Sequence, residues 1–221
     1  MCRFLMIKSH SDFQPEEILM RFSEMVKNSK TLDGDWQGDG WGIGWLDENQ
    51  RWQFRKTIHP IWEDECRFRQ IPESQQFLVH ARSASFPRHK NNLDFNQPFT
   101  NEKFAFLFNG LIKGVSLPFP TYGKIGAQKI WHLLNDLMSQ SPPEVTFLEL
   151  KNLLIKYSLS IQALNIGLSD GKMMYAFCHY DKFPDYYNLR YHESNMIRMI
   201  CSEPLFGYAF EPVPLGRTVI L

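Results

Sequence analysis

The apolar positions of this chain form short runs in some segments and helical stripes in others, which predicts a mixed fold. Residues 2–7, CRFLMI, are mostly apolar on both faces, as in a strand buried on both sides. Trp52 and Phe54 alternate with polar neighbours, as in a half-buried strand. Further strands are predicted from apolar runs at 77–80, 104–108, 165–168, 173–179, 196–201 and 218–221.

Three segments have the spacing of helices: 15–27, 130–138 and 147–157. Pro15 suits a first helical position, and the glutamates that follow it suit the positive end of a helix dipole. A loop rich in Gly and Asp is predicted over 34–44. Because the strands cluster and the helices are segregated, the pattern predicts an α+β fold rather than alternating βαβ units. We expect a single domain covering residues 1–221.

The composition argues against several classes of partner and site. The 24 basic and 24 acidic residues cancel, and no Lys/Arg run is present, so we expect neither nucleic acid nor a membrane surface as partner. No apolar stretch approaches the roughly 20 residues that span a bilayer, and the N-terminus lacks a signal-peptide core. A cytoplasmic location is therefore expected. The 4 cysteines are widely spaced without a C-x-x-C pair, which argues against a disulfide framework and a zinc site. We expect no metal and no cofactor.

Cys2 is the first residue that could carry chemistry. Removal of Met1 would leave a thiol and a free α-amine on one residue. The amine titrates near ~7.7–8.0 and the thiol near ~8.5, so the amine can act as general base for its own side chain. The alternative is an inert cysteine packed at the start of a strand, since free cysteine often behaves as a small buried hydrophobe.

Asn109–Gly110 is a candidate oxyanion site. An Asn amide beside a Gly backbone N–H offers two donors, and Gly permits close approach of a substrate. The same dipeptide between apolar runs is also the strongest short signal for a type I′ hairpin turn. Taken alone, the turn is the favoured interpretation of Asn109–Gly110.

Arg82 follows the predicted strand at 77–80. Its guanidinium could bind a substrate carboxylate in two parallel hydrogen bonds, and Ser85 could add a hydroxyl. A surface Arg in a loop is the commoner interpretation. His80 could orient Arg82, although a core histidine with satisfied hydrogen bonds is the favoured interpretation. The glycines of 38–44 alternate, so they match neither the dinucleotide nor the phosphate-loop spacing.

The order of these features along the chain is more specific than any one of them. The motifs are CRFL at 2–5, DGWGIG at 39–44, HARSAS at 80–85, NQPF at 96–99, Asn109–Gly110, and SEP at 202–204. In this order they resemble the class II glutamine amidotransferases, most of all the stand-alone glutaminase-like branch that includes enzymes acting on γ-glutamyl amides. The resemblance covers residues 2 to about 216.

The resemblance implies an N-terminal-nucleophile hydrolase with a four-layer αββα sandwich. It implies that Cys2 is nucleophile and base, that Asn109 and Gly110 form the oxyanion hole, and that Arg82 holds the α-carboxylate of glutamine. In that family the N-terminal Cys forms a γ-glutamyl thioester and ammonia leaves.

Two positions depart from the family pattern. Phe108 stands where His usually precedes Asn-Gly, and Gly126 stands where an Asp usually receives the α-ammonium of glutamine. Because a buried ammonium without a counter-charge is costly, we expect free glutamine to be a poor substrate. An amide whose α-amine is absent, acylated or alkylated is expected to be preferred. With Met1 attached, the Cys2 nitrogen is an amide and cannot act as base.

The leading hypothesis is therefore an amidase of the glutaminase type acting on a small-molecule amide. No synthetase domain is expected in the same chain, so ammonia delivery would require a synthetase or acceptor subunit; a homo-oligomer stays open. The alternative is a catalytically silent binding or regulatory subunit on the same fold, which the residues at 108 and 126 favour. The third interpretation is an unrelated α+β protein in which Asn109–Gly110 is only a turn.

Overall fold

The computed structural model describes all 221 residues, Met1–Leu221. The helices are α1 (Glu16–Asn28), α2 (Gly126–Met138), α3 (Pro143–Tyr157) and α4 (Pro184–Tyr187). The strands are β1 (Arg3–Phe13), β2 (Trp41–Leu46), β3 (Trp52–Thr57), β4 (Ser74–Ala81), β5 (Phe99–Thr100), β6 (Ala105–Lys113), β7 (Ser160–Ser169), β8 (Met174–Phe177), β9 (Arg190–Glu193), β10 (Ile197–Cys201), β11 (Glu211–Pro212) and β12 (Thr218–Ile220). No helix is both long enough and apolar enough to cross a bilayer.

The strands form two sheets in which every pairing is antiparallel. The first sheet has the order β11-β9-β10-β1-β4-β2-β3, and the second has the order β12-β8-β7-β6-β5. The N-terminal strand β1 thus lies in the middle of the first sheet, between β10 and β4. The predicted α+β class is confirmed.

Three apolar clusters show how the layers stack. Leu5 and Ile7 of β1 face α1, where they join Phe22 in a cluster of 18 buried residues. Phe4 and Met6, on the other face of β1, belong to the core between the sheets; its members include Leu78, Ala105, Leu107 and Ala176. Leu150, Leu154 and Phe106 belong to the cluster that covers the second sheet with α2 and α3. The order helix, sheet, sheet, helix is the four-layer sandwich expected from the resemblance.

The predicted loop at 34–44 is partly wrong, because β2 begins at Trp41. On β2 the large residues Trp41, Ile43 and Trp45 join the core under α1. Gly42 lies between them, and a Cβ there would lie 2.2 Å from the Gln97 backbone oxygen. The glycine allows the backbone of the Gln97 segment to pack against a sheet strand, a contact that local propensity cannot reveal.

Candidate functional site

A single cavity of about 1050 Å³ contains every residue that the sequence analysis nominated. Its walls come from the start of β1, the segment after β4, the middle of β6 and the first turn of α2. The nominated residues that line it are Cys2, His80, Arg82, Ser85, Asn109, Gly110 and Gly126. The fold therefore brings together residues that are far apart in sequence, while the role of each one stays a prediction.

Cys2 directly precedes β1 and is partly buried. The Ser83 backbone N–H donates to its Sγ at 3.4 Å, and the Sγ lies 3.6 Å from the Ser83 carbonyl oxygen. The Phe4 N–H donates to the Ser202 hydroxyl at 3.0 Å, and the Ser202 N–H donates to the Phe4 carbonyl at 3.0 Å. The thiol thus lies at the rim of a hydrogen-bonded sheet, which limits its movement.

Arg3 fixes the chain immediately after Cys2. Its guanidinium is fully buried, forms an ion pair with Glu203, and lies 4.1 Å from the centre of the Tyr186 ring. Its Nε donates to the Ser29 hydroxyl at 2.9 Å. Since a buried charge that loses its partner is destabilising, this network holds the start of β1 in one position.

Asn109 and Gly110 lie inside β6, paired with Asn165 and Leu164 of β7. The hairpin-turn interpretation of this dipeptide is therefore wrong, because the strand continues to Lys113. Asn109 is 1% exposed, and its side-chain oxygen has no hydrogen-bond partner. A Cβ at Gly110 would lie 2.4 Å from the Phe108 ring and 2.5 Å from the Ala163 oxygen, so glycine alone fits there.

Gln97 holds the strand just before Asn109. Its side-chain oxygen accepts from the Phe108 N–H at 2.6 Å, and its amide donates to the Phe108 carbonyl at 3.1 Å. Gln97 is itself held by its close approach to Gly42 of the other sheet. Gln97 belongs to the NQPF motif, but the sequence by itself assigns it no role. Its tertiary position makes it a positioning residue for the candidate oxyanion donors.

Arg82 is 4% exposed, so the expectation of a surface arginine is wrong. Its guanidinium donates to the His89 carbonyl at 2.6 Å, and to the Asp39 carbonyl and the Asn96 side-chain oxygen, both at 3.4 Å. It forms no ion pair with a carboxylate. The Asp39 carboxylate instead pairs with Lys90 at 3.1 Å and accepts from the Ala84 N–H at 2.7 Å. A buried guanidinium held only by neutral oxygens favours an anion in the cavity.

His80 is completely buried, and neither ring nitrogen has a hydrogen-bond partner of acceptable geometry. A core position was expected, but the expectation that its hydrogen bonds are satisfied is wrong. Burial, helped by the charge of Arg82, lowers the pKa of His80 to about 3, while a contact with the Phe108 backbone opposes the shift. His80 is therefore neutral at physiological pH and cannot supply a positive charge to the cavity.

Gly126 is the first residue of α2, and a Cβ added there would meet nothing within 4 Å. No acidic residue lies in the first turn of α2, and no side chain caps it. The carboxylates that line the cavity, Asp33 and Asp35, come from the loop after α1; their charges act on the Met1 amine. The wall around Gly126 contains Lys124 and Lys129 instead. This wall offers no counter-charge for an ammonium group.

Met1 also lines the cavity, and burial lowers the pKa of its α-ammonium. The Gln37 side-chain amide donates to the Met1 carbonyl at 2.9 Å. Gln37 is fully buried, and its side-chain oxygen has no partner. Gln37 was not predicted from the sequence, since a lone glutamine in a Gly- and Asp-rich loop carries no local signal. The chain contains no cluster of three His, Cys, Asp or Glu residues that could hold a metal ion.

Comparison with known proteins gives one family match. The sequence profile of the family described as class II glutamine amidotransferases matches residues 1–196. No curated protein matches the sequence.

Solved structures share the fold at low sequence identity. A glutamine aminotransferase class-II domain protein from Silicibacter pomeroyi has a TM-score of 0.65 at 16% identity, over 99% of this chain and 94% of that one. A predicted glutamine amidotransferase from Pseudomonas aeruginosa has a TM-score of 0.58 at 16% identity, covering 99% and 96%. The glutamine phosphoribosylpyrophosphate amidotransferase of B. subtilis has a TM-score of 0.66 at 16% identity, and covers 99% of this chain but 47% of that one. These likenesses agree with the two-sheet architecture.

Proposed function

Since this chain belongs to the class II glutamine amidotransferases, we propose that it hydrolyses a glutamine-type side-chain amide through Cys2 after removal of Met1. The observation that carries this proposal is the shared cavity, in which Cys2 lies with Asn109 and Gly110. The direct test is thiol-dependent release of ammonia from such amides by protein whose mass shows that Met1 is gone. A cytoplasmic location is part of the proposal and is supported by the four free cysteines.

The proposed mechanism moves one proton through the N-terminal amine. The Cys2 thiol transfers its proton to the free α-amine as Sγ attacks the amide carbon. The oxyanion accepts hydrogen bonds from the Asn109 amide and the Gly110 N–H. The tetrahedral intermediate collapses when the α-ammonium returns the proton to the leaving nitrogen, which departs as ammonia. Water then attacks the thioester with the amine as base, which releases the carboxylic acid and restores the thiol.

Arg82 is proposed to bind a carboxylate on the substrate. Its guanidinium is buried, lines the cavity and has no carboxylate partner in the protein. The Asn96 side-chain oxygen and two backbone carbonyls orient it, and Asn96 is in turn held by donation to the Thr57 carbonyl at 2.6 Å. Ser85 is exposed at the cavity rim and could add a hydroxyl donor. This arrangement suits the two-pronged contact typical of Arg and carboxylate.

The substrate nitrogen next to that carboxylate is proposed to be uncharged. The family pattern provides an Asp at the start of α2, where this chain has Gly126 and no acidic residue. Binding an ammonium there would remove it from water without a compensating charge. We therefore propose that free glutamine is disfavoured and that an amide with an absent, acylated or alkylated α-amine is preferred.

Asn109→Ala is expected to lower kcat by more than about 100-fold with little change in KM, because it removes a donor used mainly in the transition state. That loss corresponds to about 3 kcal/mol, typical for one oxyanion donor. The measurement is steady-state ammonia release at saturating amide. An Asn109→Ala variant that keeps its kcat at an unchanged melting temperature contradicts the assignment.

Gly126→Asp is expected to raise kcat/KM for free glutamine by about tenfold or more, since it places a carboxylate in the open space at the start of α2. An Asp at the first turn is compatible with the helix dipole. Gly126→Asn is the matched control, with the same shape and no charge. If both variants respond to glutamine equally, charge at this position does not govern selection.

The second candidate function is a catalytically silent binding or regulatory subunit on this fold. Phe108 favours this second candidate, because the phenylalanine replaces a polar family residue with a ring that packs against Phe106 and the α2 core.

For the enzyme, delivery of ammonia to an acceptor would require a synthetase or acceptor subunit, and a homo-oligomer is also compatible with the proposal. Ammonia release that vanishes in Cys2→Ser separates the enzyme from the silent subunit.

A further inference from the structure

The cavity has far more room than a free amino acid needs, and much of its wall is apolar. Its volume of about 1050 Å³ lies at the upper end of the range that holds drug-sized ligands. We define the apolar wall as the aliphatic residues that line it between β6 and α2: Ile112, Leu117, Ile125, Ile130 and Leu133. All five belong to, or pack against, the core over the second sheet.

The polar groups beside the apolar wall are donors. The first N–H groups of a helix have no partner within the helix, and no side chain caps α2 at Ile125. Lys124 and Lys129 flank Gly126 on the cavity wall and form no ion pair. A carbonyl oxygen on the substrate fits these donors, whereas an ammonium does not.

From these two observations we propose that the substrate is an N-acyl glutamine, or a related N-acyl ω-amide, with an apolar acyl chain. The side-chain amide faces Cys2, and the carboxylate faces Arg82. The acyl carbonyl accepts from the start of α2, and the acyl chain covers the apolar wall. Acylation removes the charge of the nitrogen and supplies the acceptor in one step. This inference rests on the proposed function, whose reaction it leaves unchanged.

The test separates binding from catalysis. Binding of glutamine and its N-acetyl, N-hexanoyl and N-decanoyl derivatives to Cys2→Ala is measured by calorimetry, and ammonia release by the unmodified enzyme is measured for the same series. Affinity and kcat/KM are expected to rise by about fourfold for each methylene buried. Leu117→Ser is expected to reduce that gain, because Leu117 lies on the apolar wall. Leu215→Ser, an exposed leucine outside the cavity, is the matched control and is expected to change nothing.

Each outcome decides one of the two proposals. Binding to Cys2→Ala that does not depend on acyl length overturns the acyl inference, whatever the activity. Cys2-dependent hydrolysis that favours free glutamine also overturns it and leaves the amidase intact. Length-dependent binding without ammonia release supports the acyl-binding site but contradicts the amidase, so the bound N-acyl amide would then be a ligand and not a substrate.

A second observation concerns Gln37, and it is independent of the cavity wall. Gln37 is fully buried beside the N-terminus, and its amide donates to the Met1 carbonyl, one carbon from the Cys2 nitrogen. Removal of Met1 takes away this acceptor, and the Gln37 side-chain oxygen has no partner in the protein. The geometry points to Gln37 as a positioning residue that accepts a hydrogen bond from the Cys2 α-amine.

The test follows the titration of the amine. Gln37→Glu replaces the neutral acceptor with a carboxylate and is expected to raise the pKa of the Cys2 amine by about one unit, since an opposite charge favours the protonated form. The pKa of the amine is measured by NMR on nitrogen-labelled cysteine. A shift of the kcat/KM-versus-pH profile towards higher pH is the parallel readout. An amine pKa that is the same in Gln37→Glu and the unmodified protein overturns this assignment. The NMR readout decides it even if the enzyme is inactive.

Discussion

Amide hydrolysis is expected to disappear when Cys2 is replaced by alanine or serine, with the fold retained. The loss of kcat should be on the order of 10⁴-fold or more, as for other covalent nucleophiles, because no other thiol lines the cavity. The α-amine remains in both variants, so the result isolates the sulfur. Ammonia release and melting temperature measured on the same preparation check it. Protein that retains Met1 should be equally inactive, because its Cys2 nitrogen is an amide.

The other cysteines provide internal controls for this result. Cys66 is exposed, so Cys66→Ser should keep full activity. Burial raises the pKa of Cys178 to about 11 and that of Cys201 to about 12, which keeps both thiols protonated and unreactive. A glutamine-like affinity label should therefore add once, at Cys2, in intact mass. Unchanged activity in Cys2→Ala, or labelling confined to Cys66, would contradict the proposed nucleophile.

Acidification is expected to destabilise the protein through His80. The pKa of His80 is about 3 in the folded protein, whereas the ordinary value for histidine, expected in the unfolded chain, is 6.5. The unfolded chain therefore binds a proton as pH falls through about 6.5, while the folded protein does not until about pH 3. The free energy of unfolding rises with pH wherever the unfolded state holds more protons than the folded state. The stability contributed by His80 is therefore fully present above the ordinary pKa of 6.5 and is lost progressively as the pH falls below it. Between about pH 7 and pH 3 the loss amounts to about 4 kcal/mol, at about 1.4 kcal/mol per pKa unit.

Urea unfolding of the unmodified protein and of His80→Gln at several pH values measures this contribution. Carboxylates add their own acid dependence to both proteins, so the difference between the two curves belongs to His80. The unfolding free energies should converge or cross as pH falls, because the glutamine has no proton to bind. Parallel curves across this range would show that position 80 does not titrate with a lowered pKa.

The candidate site depends on a few backbone approaches between the two sheets. Gly42 lets the Gln97 backbone reach β2, and Gln97 in turn fixes the Phe108 backbone on β6. Asn109 and Gly110 follow directly on that strand. On the first sheet, Ser202 and Arg3 fix the start of β1 beside Cys2. The candidate nucleophile and the candidate oxyanion donors are thus held by different sheets, and the packing between the sheets sets their separation.

The sequence alone predicted several of the regular elements and the candidate chemistry, although it assigned the start of β2 to a loop. The helix predicted at 15–27 is α1 at Glu16–Asn28, and residues 3–7 of the apolar run at 2–7 form the buried part of β1. Such elements can be predicted because periodicity and capping are local properties. The order of short motifs indicated the family, and the profile match over residues 1–196 confirms it.

The tertiary structure decided what local patterns leave ambiguous. Asn109–Gly110 is an ideal hairpin signal, yet pairing with β7 makes it the interior of a strand. Arg82 was expected at the surface, but it is buried and donates to the His89 carbonyl. His80 is buried without the hydrogen bonds expected of it. Gln37 acquired its place only through contact with the N-terminus. These outcomes depend on contacts between residues distant in sequence, and such contacts outweigh local propensity because they decide which groups are removed from water.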